Sequence, residues 1–342
     1  MPIRKLLLTV AVIYFACSAL QGETHHISPD RYYITFSAAH PPLAHVRPGD
    51  TVITKCLDSR GRDETGKLIF DGDNVLTGSF YIEGSEPGDT LVVRLDRVRL
   101  NRDWGWNNMR ISVDALAPET IEKLFPEDCC DEWLQPGRRN ALRWNVDRVR
   151  GLLAPSRALG HRVKLEFPVH PALGCIGVAP PNKQAIDSGP MGTYGGNMDY
   201  NAMEGAIVYL PVYEPGAHFM LGDGHAGFGD GELLGDGTET SLDVQFTVDL
   251  IKKHSVGWPR VEHPNSIVTL GCVPGGIERG FRSAISEMVA WLTSDYGLSP
   301  QEAHVTLGMA AELRVASWFG TFICEVPKKY LPPRTGPRPS LR

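Results

Sequence analysis

Apolar and polar residues alternate at several places along the chain, and this period of two predicts β-strands. The clearest run has polar residues between its apolar positions, which indicates a strand with one buried and one wet face, as in an antiparallel sheet. Its apolar positions are Leu242, Val244, Phe246, Val248 and Leu250. Between about 97 and 162, charged residues and tryptophans interrupt the alternation, so we expect loops and short elements there. A further strand-like run covers 318–326.

Two turns of the same composition lead into predicted strands. Pro48-Gly49-Asp50 precedes an apolar run at 51–53, and Pro87-Gly88-Asp89 precedes another at 91–95. Proline fixes φ at the first central position of such a turn, and glycine accepts a positive φ at the second. Both segments therefore predict type II turns that enter strands.

Helical periodicity appears late in the chain. Over 279–295 the apolar residues recur at the spacing of one helical face, and Gly297 is suited to a left-handed helix end. The residues of that face are Phe281, Ile285, Met288, Val289 and Leu292. A second helix is predicted after Ser299, because Ser299 and Glu302 form a capping box around Pro300.

These patterns together predict a β-dominant α+β protein with mostly antiparallel sheets. We expect a sandwich-like N-terminal part and a C-terminal region that carries two helices. The predicted catalytic unit spans 23–330, with a division into a β-rich subdomain at 23–150 and an α+β part at 151–330 as an option. Residues 331–342, rich in proline and arginine, are expected to form a loose tail.

The first 22 residues resemble an export signal. Arg4 and Lys5 precede an eleven-residue, largely apolar run at 6–16, which is too short to span a bilayer. Cys17 follows this run, so a lipid anchor at that cysteine is an alternative to simple cleavage. Either way we expect an exported protein, periplasmic or secreted, in an oxidising compartment.

Composition and charge narrow the classes of function. The chain of 342 residues contains 36 glycines and 26 prolines, which favours a turn-rich β protein over a helical bundle. Its formal net charge is −6 and no run of basic residues precedes the tail, so nucleic acid is excluded as a partner. The seven cysteines include no Cys-x-x-Cys pair, which excludes a zinc ribbon and a thioredoxin motif.

Candidate chemistry is concentrated in the segment 222–237. Seven of its sixteen residues are glycine, so we expect little packing there and no core element. Carboxylates and an imidazole within a tightly bent loop are suitable ligands for a divalent cation. Asp223 and His225 are two residues apart and would face the same way on an extended segment, and Asp230 and Glu232 repeat that spacing. An acidic surface turn and local calcium stabilisation are the alternatives for this segment.

Four segments together resemble the acetamidase/formamidase family of amide hydrolases. The family's Gly-Gly-Asn-x-Asp run is matched at Gly195–Asp199. Its Gly-Asp-x-His and Gly-Asp-Gly-Glu elements are matched within Gly222–Glu232. Further matches lie at 77–89 and 297–303, so the resemblance spans roughly 35–331.

The resemblance implies a metal-dependent hydrolysis of a small carboxamide, such as formamide or acetamide, to a carboxylate and ammonia. Zinc is the favoured divalent cation and calcium is the alternative. The implied metal ligands are Asp199, Asp223 and His225, with Glu239 as a further one. Glu232 is the implied proton carrier, Asn197 orients the carbonyl or a ligand, and Asp230 is a supporting catalytic residue. A homo-oligomer is a further expectation.

Two other hypotheses remain open on the sequence alone. Cys175 could act as the nucleophile of a different kind of amidase, although it lies in an apolar, strand-like run. Phe228 stands where relatives usually have glutamine, which suggests altered substrate orientation or an exported β-rich binding or structural module without turnover. His170 and His218 are weaker candidates for the site.

Overall fold

The computed structural model describes residues 22–112, 115–117, 119–120, 141–272 and 276–341. The predicted export signal and Cys17 lie outside these residues, apart from Gly22. No helix within the described ranges combines the length and the apolar character needed to cross a bilayer.

The strands of the N-terminal half are short except for three long ones. Their bounds are β1 Thr24–His26, β2 Tyr32–Tyr33, β3 Thr35–Phe36, β4 Ala44–Val46, β5 Thr51–Cys56, β6 Leu76–Ile82, β7 Thr90–Leu100, β8 Trp104–Asn108, β9 Ala141–Asp147, β10 Leu152–Pro155 and β11 Phe167–Pro168. The strands of the C-terminal half are β12 Ala172–Gly177, β13 Ile186–Asp187, β14 Met191–Gly192, β15 Gly195–Asn197, β16 Ile207–Pro211, β17 Phe219–His225, β18 Leu242–Ile251, β19 Arg260–Glu262, β20 Ser266–Gly271, β21 Glu312–Ser317 and β22 Thr321–Pro327. Helix α1 spans Ile277–Asp295 and helix α2 spans Pro300–Ala310.

Two large sheets form the body of the protein. One has nine strands in the order β1-β5-β18-β7-β16-β19-β20-β22-β21, and the other follows β14-β15-β12-β17-β6-β2 with β4 also paired to β6. All their pairings are antiparallel except β1 with β5 and β4 with β6. The predicted β-dominant, mostly antiparallel α+β class with two C-terminal helices is confirmed. Strands from 23–150 and from 151–330 occur together in both sheets, and in the nine-stranded sheet β5, β18, β7 and β16 alternate between the two parts.

The two sheets pack face to face through aromatic side chains. The ring of Phe246 in β18 lies 5.2 Å, centroid to centroid, from both Phe80 of β6 and Phe219 of β17. All three rings are fully buried, and edge-to-face rings at this spacing add to the stabilisation from their buried area. Phe219 is the first residue of β17, and the candidate site lies at the other end of this strand.

Several local predictions are confirmed. The strands at 51–53 and 91–95 belong to β5 and β7, and Gly49 and Gly88 each have φ of 95° in the turns before them. Ser299 caps α2 with the capping box that the sequence predicts. The buried residues of α1 include Met288 and Leu292.

Other local predictions were wrong or incomplete. The stretch 97–162 contains the strands β8, β9 and β10, which form a sheet of their own together with β11, where the sequence suggests loops and short elements. The run 318–326 is divided, with a turn before β22 begins at Thr321. The face of α1 is rotated, because Trp291 is fully buried against Tyr209 while Phe281 is only half-buried.

The C-terminal tail packs against the nine-stranded sheet and α1, in contrast to the loose segment that the sequence suggests. Arg334 is 8% exposed and donates to Asp295, Glu262 and the hydroxyl of Tyr209. Further along, the backbone N–H of Ser340 donates to Asp249 of β18. The tail therefore covers Asp249, a polar residue near the end of β18.

Candidate active site

The core of the candidate site is the end of β17. Every residue of Phe219–His225 is buried, which corrects the expectation that this glycine-rich segment has no place in the core. A side chain at Gly222 would come within 2.1 Å of the carbonyl oxygen of Val75, so glycine is what lets the neighbouring backbone approach so closely. Asp223 and His225 are carried into the interior by this strand, and their ligand atoms meet as the spacing of two predicts.

The neighbouring strand β12 makes room for these two side chains. Leu173 pairs with Gly224 across the two strands. A Cβ on the next residue, Gly174, would lie 2.3 Å from Oδ2 of Asp223 and 2.9 Å from Cε1 of His225. Glycine at 174 is therefore required for the observed positions of Asp223 and His225.

The same glycine anchors the third acid. The backbone N–H groups of Met198 and Asp199 donate to the carbonyl oxygen of Gly174 at 2.7 and 3.1 Å. This fixes the chain just after β15, and the side chain of Asp199 is 1% exposed. Asn197, the last residue of β15, lies half-buried beside it.

Two glutamates from the segment after β17 complete the cluster. Oε1 of Glu239 lies 3.0 Å from Nε2 of His225, and the backbone N–H of Ser59 donates to Oε2 of Glu239 at 3.3 Å. Glu232 accepts a hydrogen bond of 3.2 Å from the hydroxyl of Ser317, at the end of β21. Both glutamates are buried.

The ligand atoms of these residues form two overlapping groups. One atom each of Asp199, Asp223 and His225 lie within 4.8 Å of one another, and so do atoms of His225, Glu232 and Glu239. The structure thus brings together four buried carboxylates around one imidazole. These five residues all belong to the set that the family resemblance implies, whereas Asp230 of that set does not converge with them.

Asp230 lies at the surface. Its carboxylate forms a paired contact with Arg314 of β21, at 2.7 and 2.9 Å. Gly231 follows with φ of 85° and Glu232 with φ of 44°, so the backbone turns between the two acids. Asp230 therefore helps to hold the loop against β21, while Glu232 enters the interior.

Burial changes the protonation of the cluster. It raises the pKa of Asp199 to about 6 and that of Glu239 to about 8, and it raises the pKa of Glu232 well above its usual value. Burial alone would lower the pKa of His225, but the carboxylates of Glu239 and Asp223 outweigh it and raise that pKa well above its usual value. Four carboxylates and one imidazole in the interior need further positive charge, either protons or a cation.

Several of the buried polar atoms in the site accept and donate no hydrogen bond within the described part of the chain. They are both side-chain oxygens of Asp199, Oδ1 of Asp223, Nδ1 of His225 and Oδ1 of Asn197. Leaving one buried polar group unpaired costs about 1–3 kcal/mol, and more if it is charged. Carboxylate oxygens and an imidazole nitrogen are the donor set that a zinc-like ion takes, so these residues fit a bound divalent cation.

The backbone of the site is held in an uncommon conformation. Asp199, Asp223 and Glu232 have φ of 44°, 58° and 44°, in the left-handed region that residues other than glycine rarely adopt. Such conformations persist only where surrounding contacts impose them, and they concentrate at functional sites. Three of the four acids of the cluster thus share this feature.

Cys175 lies beside the cluster but has the wrong chemistry for a nucleophile. Its Sγ is fully buried, 3.8 Å from Oδ2 of Asp223. Burial and the carboxylates of Asp223 and Asp199 raise the pKa of the thiol well above its usual value. The thiol therefore stays protonated, whereas a cysteine nucleophile needs a thiolate.

The two weaker histidine candidates occupy different places. His218 lies before β17, at the opposite end from His225, and its Nδ1 is 2.9 Å from the hydroxyl of Ser79. His170 lines a cavity next to the cluster and donates its backbone N–H to Ala226. His218 is thus remote from the site, and His170 is near it.

The cavity beside the cluster has a volume of about 390 Å³ and includes Glu232 in its lining. Phe228 also lines it, and the ring of Phe228 stands edge-on to that of His225 at 5.1 Å. Of the four buried acids, Glu232 is the one that borders this cavity.

Two residues of the site were not found from the sequence. Ser317 is an ordinary serine 85 residues from its partner Glu232, and no local motif marks it. Gly174 could have been suspected only as a glycine within an apolar strand, which indicates close approach of another group.

The fold and site define a β-sandwich protein with a buried acid–imidazole centre that is open to a cavity. The sequence model described as the Acetamidase/Formamidase family matches residues 183–318, which include all five members of the cluster. This match confirms the resemblance to the acetamidase/formamidase family over that part of the chain.

Individual relatives support the same assignment. A formamidase of Methylophilus methylotrophus is 29% identical over 259 residues, 62% of this chain and 62% of that protein. An acetamidase of Mycolicibacterium smegmatis is 25% identical over 260 residues, 62% of this chain and 64% of that protein. The crystal structure of an acetamidase from Bacillus halodurans superposes with a TM-score of 0.72 at 25% identity, covering 89% of this chain and 98% of that one. The chain thus matches about three fifths of the length of the Methylophilus formamidase and of the Mycolicibacterium acetamidase.

Proposed function

We propose that this protein hydrolyses the C–N bond of small linear carboxamides to a carboxylate and ammonia, with a bound divalent cation, preferably zinc. The observation that carries the proposal is the group of buried ligand atoms on Asp199, Asp223 and His225 that have no hydrogen-bond partner among the described residues. The names of the relatives, formamidase and acetamidase, support the amide as substrate.

In the proposed mechanism Asp199, Asp223 and His225 would hold the cation. Glu239 contacts the imidazole of His225. When bound, such an ion lowers the pKa of water to about 7 and polarises a carbonyl group. Glu239 orients the imidazole through its contact of 3.0 Å with Nε2. The backbone N–H of Ser59 in turn holds Glu239.

Glu232 is the proposed proton carrier. It takes a proton from the attacking water and delivers it to the leaving nitrogen, so that ammonia departs and the acyl group leaves as the carboxylate. Its raised pKa favours the protonated form that the second transfer needs. The hydroxyl of Ser317 fixes the direction of its carboxylate.

Asn197 is the proposed orienting group for the substrate. Its side-chain oxygen is buried without a partner, so it can accept a hydrogen bond from the amide nitrogen of the substrate. The cavity next to Glu232 admits the acyl end of the molecule.

The test measures ammonia release from formamide and acetamide together with metal content. Chelation should abolish turnover, and added Zn²⁺ should restore it. Asp223→Asn should lose both bound metal and activity, whereas the control Glu278→Gln, an exposed change on α1, should lose neither. Full activity of metal-free protein would overturn the metal dependence. Metal bound at the site without ammonia release from any amide would favour a binding module without turnover.

A further inference from the structure

The cavity beside the cluster is larger than the smallest carboxamides require. Its volume of about 390 Å³ falls within the range of roughly 300–1,000 Å³ that is typical of pockets for drug-sized ligands. Its described lining comes from the small sheet of β8–β11 and from the loop that follows β17. Glu232 lies in the same lining, so a molecule in the cavity has one end at the proposed proton carrier.

The walls of this cavity are mainly apolar. Trp144 of β9, Leu153 of β10 and Phe167 of β11 line the side formed by the small sheet. Phe228 and Leu234 line the side formed by the loop. Side chains on both sides of the cavity are therefore available to contact an apolar group.

The polar group of Trp144, its indole N–H, already has a hydrogen-bond partner within the protein. The indole N–H of Trp144 donates to Oδ1 of Asn107 at 2.8 Å. Asn107 is 4% exposed, and this contact directs it towards the indole. Trp144 therefore offers its apolar ring atoms to the cavity.

Phe228 extends the apolar wall to the reacting centre. Its ring is edge-on to the imidazole of His225, with 5.1 Å between centroids and an interplanar angle of 86°. It is half-buried, with one side on the site and the other on the cavity. The acyl group of an amide held at the site would therefore lie against an aromatic surface.

Formamide and acetamide would leave these walls in contact with water. A substrate with a larger apolar body displaces that water and gains contact in the transition state as well as in the bound state. One methylene group in an apolar pocket changes kcat/KM by roughly 10–200-fold. The cavity thus favours amides with a larger acyl group.

We infer that the preferred substrates are primary amides with a compact aromatic or branched aliphatic acyl group, about the size of a benzoyl group. This inference rests on the proposed function, since it names the substrate class of the same site. Phe228 is then a residue that determines specificity.

The test compares kcat/KM for formamide, acetamide, isobutyramide and benzamide on the metal-loaded full chain, by ammonia release. Benzamide should exceed acetamide by at least about tenfold. Phe228→Gln, which makes the wall polar at similar size, should reduce that ratio by about tenfold. The matched change Phe228→Leu keeps the wall apolar and should leave the ratio within about threefold of the native value.

The outcomes separate the two claims. Acetamide hydrolysed as efficiently as benzamide would overturn the inference and leave the proposed function standing. No ammonia from any of the four amides would overturn the proposed function itself, and the inference with it. Equal losses on acetamide and benzamide in Phe228→Gln would mean that the ring only supports His225, which also overturns the assigned role in specificity.

Discussion

The substitution Gly174→Ala is a sharp probe of the site because it adds one carbon where the structure has no room. The added Cβ would lie 2.3 Å from Oδ2 and 2.8 Å from Cγ of Asp223, and 2.9 Å from Cε1 of His225. An ordinary van der Waals contact begins at 3.4 Å. Asp223 is buried between strands, so its carboxylate would have to be displaced by about 1 Å or the strands would have to separate.

Both responses have predictable magnitudes. A displacement of about 1 Å in a catalytic constellation can reduce the rate by about 10²-fold. Overpacking of a core costs about 1–3 kcal/mol, which for a chain of this size lowers Tm by about 1–4 °C. We therefore expect a folded variant with metal content reduced and kcat for ammonia release lowered by about two orders of magnitude.

The assay combines ammonia release, elemental analysis of bound metal and thermal denaturation. Gly308→Ala is the matched control, because a Cβ at this exposed position of α2 meets nothing within 4 Å and alanine is the better helix former. It should retain activity and metal. Native activity and metal content in Gly174→Ala would refute the reasoning that this glycine makes room for the ligands.

Three other changes test separate parts of the structure. Ser317→Ala removes the hydroxyl that donates to Glu232, and kcat should fall about tenfold with KM little changed, as steady-state kinetics would show. Arg334→Ala leaves the carboxylate of Asp295 buried without its closest partner, so denaturant unfolding should show a loss of about 3 kcal/mol with activity retained. Burial raises the pKa of Glu239 from 4.5 to about 8, so the folded metal-free protein keeps a proton that the unfolded chain loses. Its Tm should therefore fall as pH rises through that range, and a Tm that rises with pH would contradict this.

Local sequence patterns predicted the elements that bury one face against a single neighbouring part of the protein. In β18 the apolar positions 242–248 face the second sheet, so alternation alone identified the strand. The capping box at Ser299 likewise depends on four consecutive residues. The small sheet was missed because its buried side chains, such as Leu142 and Leu153, form a separate cluster among strands rich in outward charges.

In the site, too, the residues placed by one strand could be predicted from the local sequence, whereas those brought together by distant segments could not. The spacing of Asp223 and His225 predicted their convergence, because both lie on one strand. Equal spacing failed to predict that Asp230 and Glu232 separate, because Gly231 and Glu232 adopt positive φ and reverse the chain. Asp199 was found through the family resemblance, and Ser317 has no signal that a single sequence carries.

Both large sheets contain strands from the two halves of the chain, and this has a consequence for a cleaved protein. Val149 is 97% exposed in the turn between β9 and β10, so a protease can reach the peptide bonds there. The fragments on either side of such a cut would still share two sheets, with β5 and β7 of one flanking β18 of the other. A nicked molecule would therefore migrate as one particle and separate only on denaturation. The C-terminal piece carries all five residues of the cluster, but it would lack β5, β6 and β7, which pair with β17 and β18.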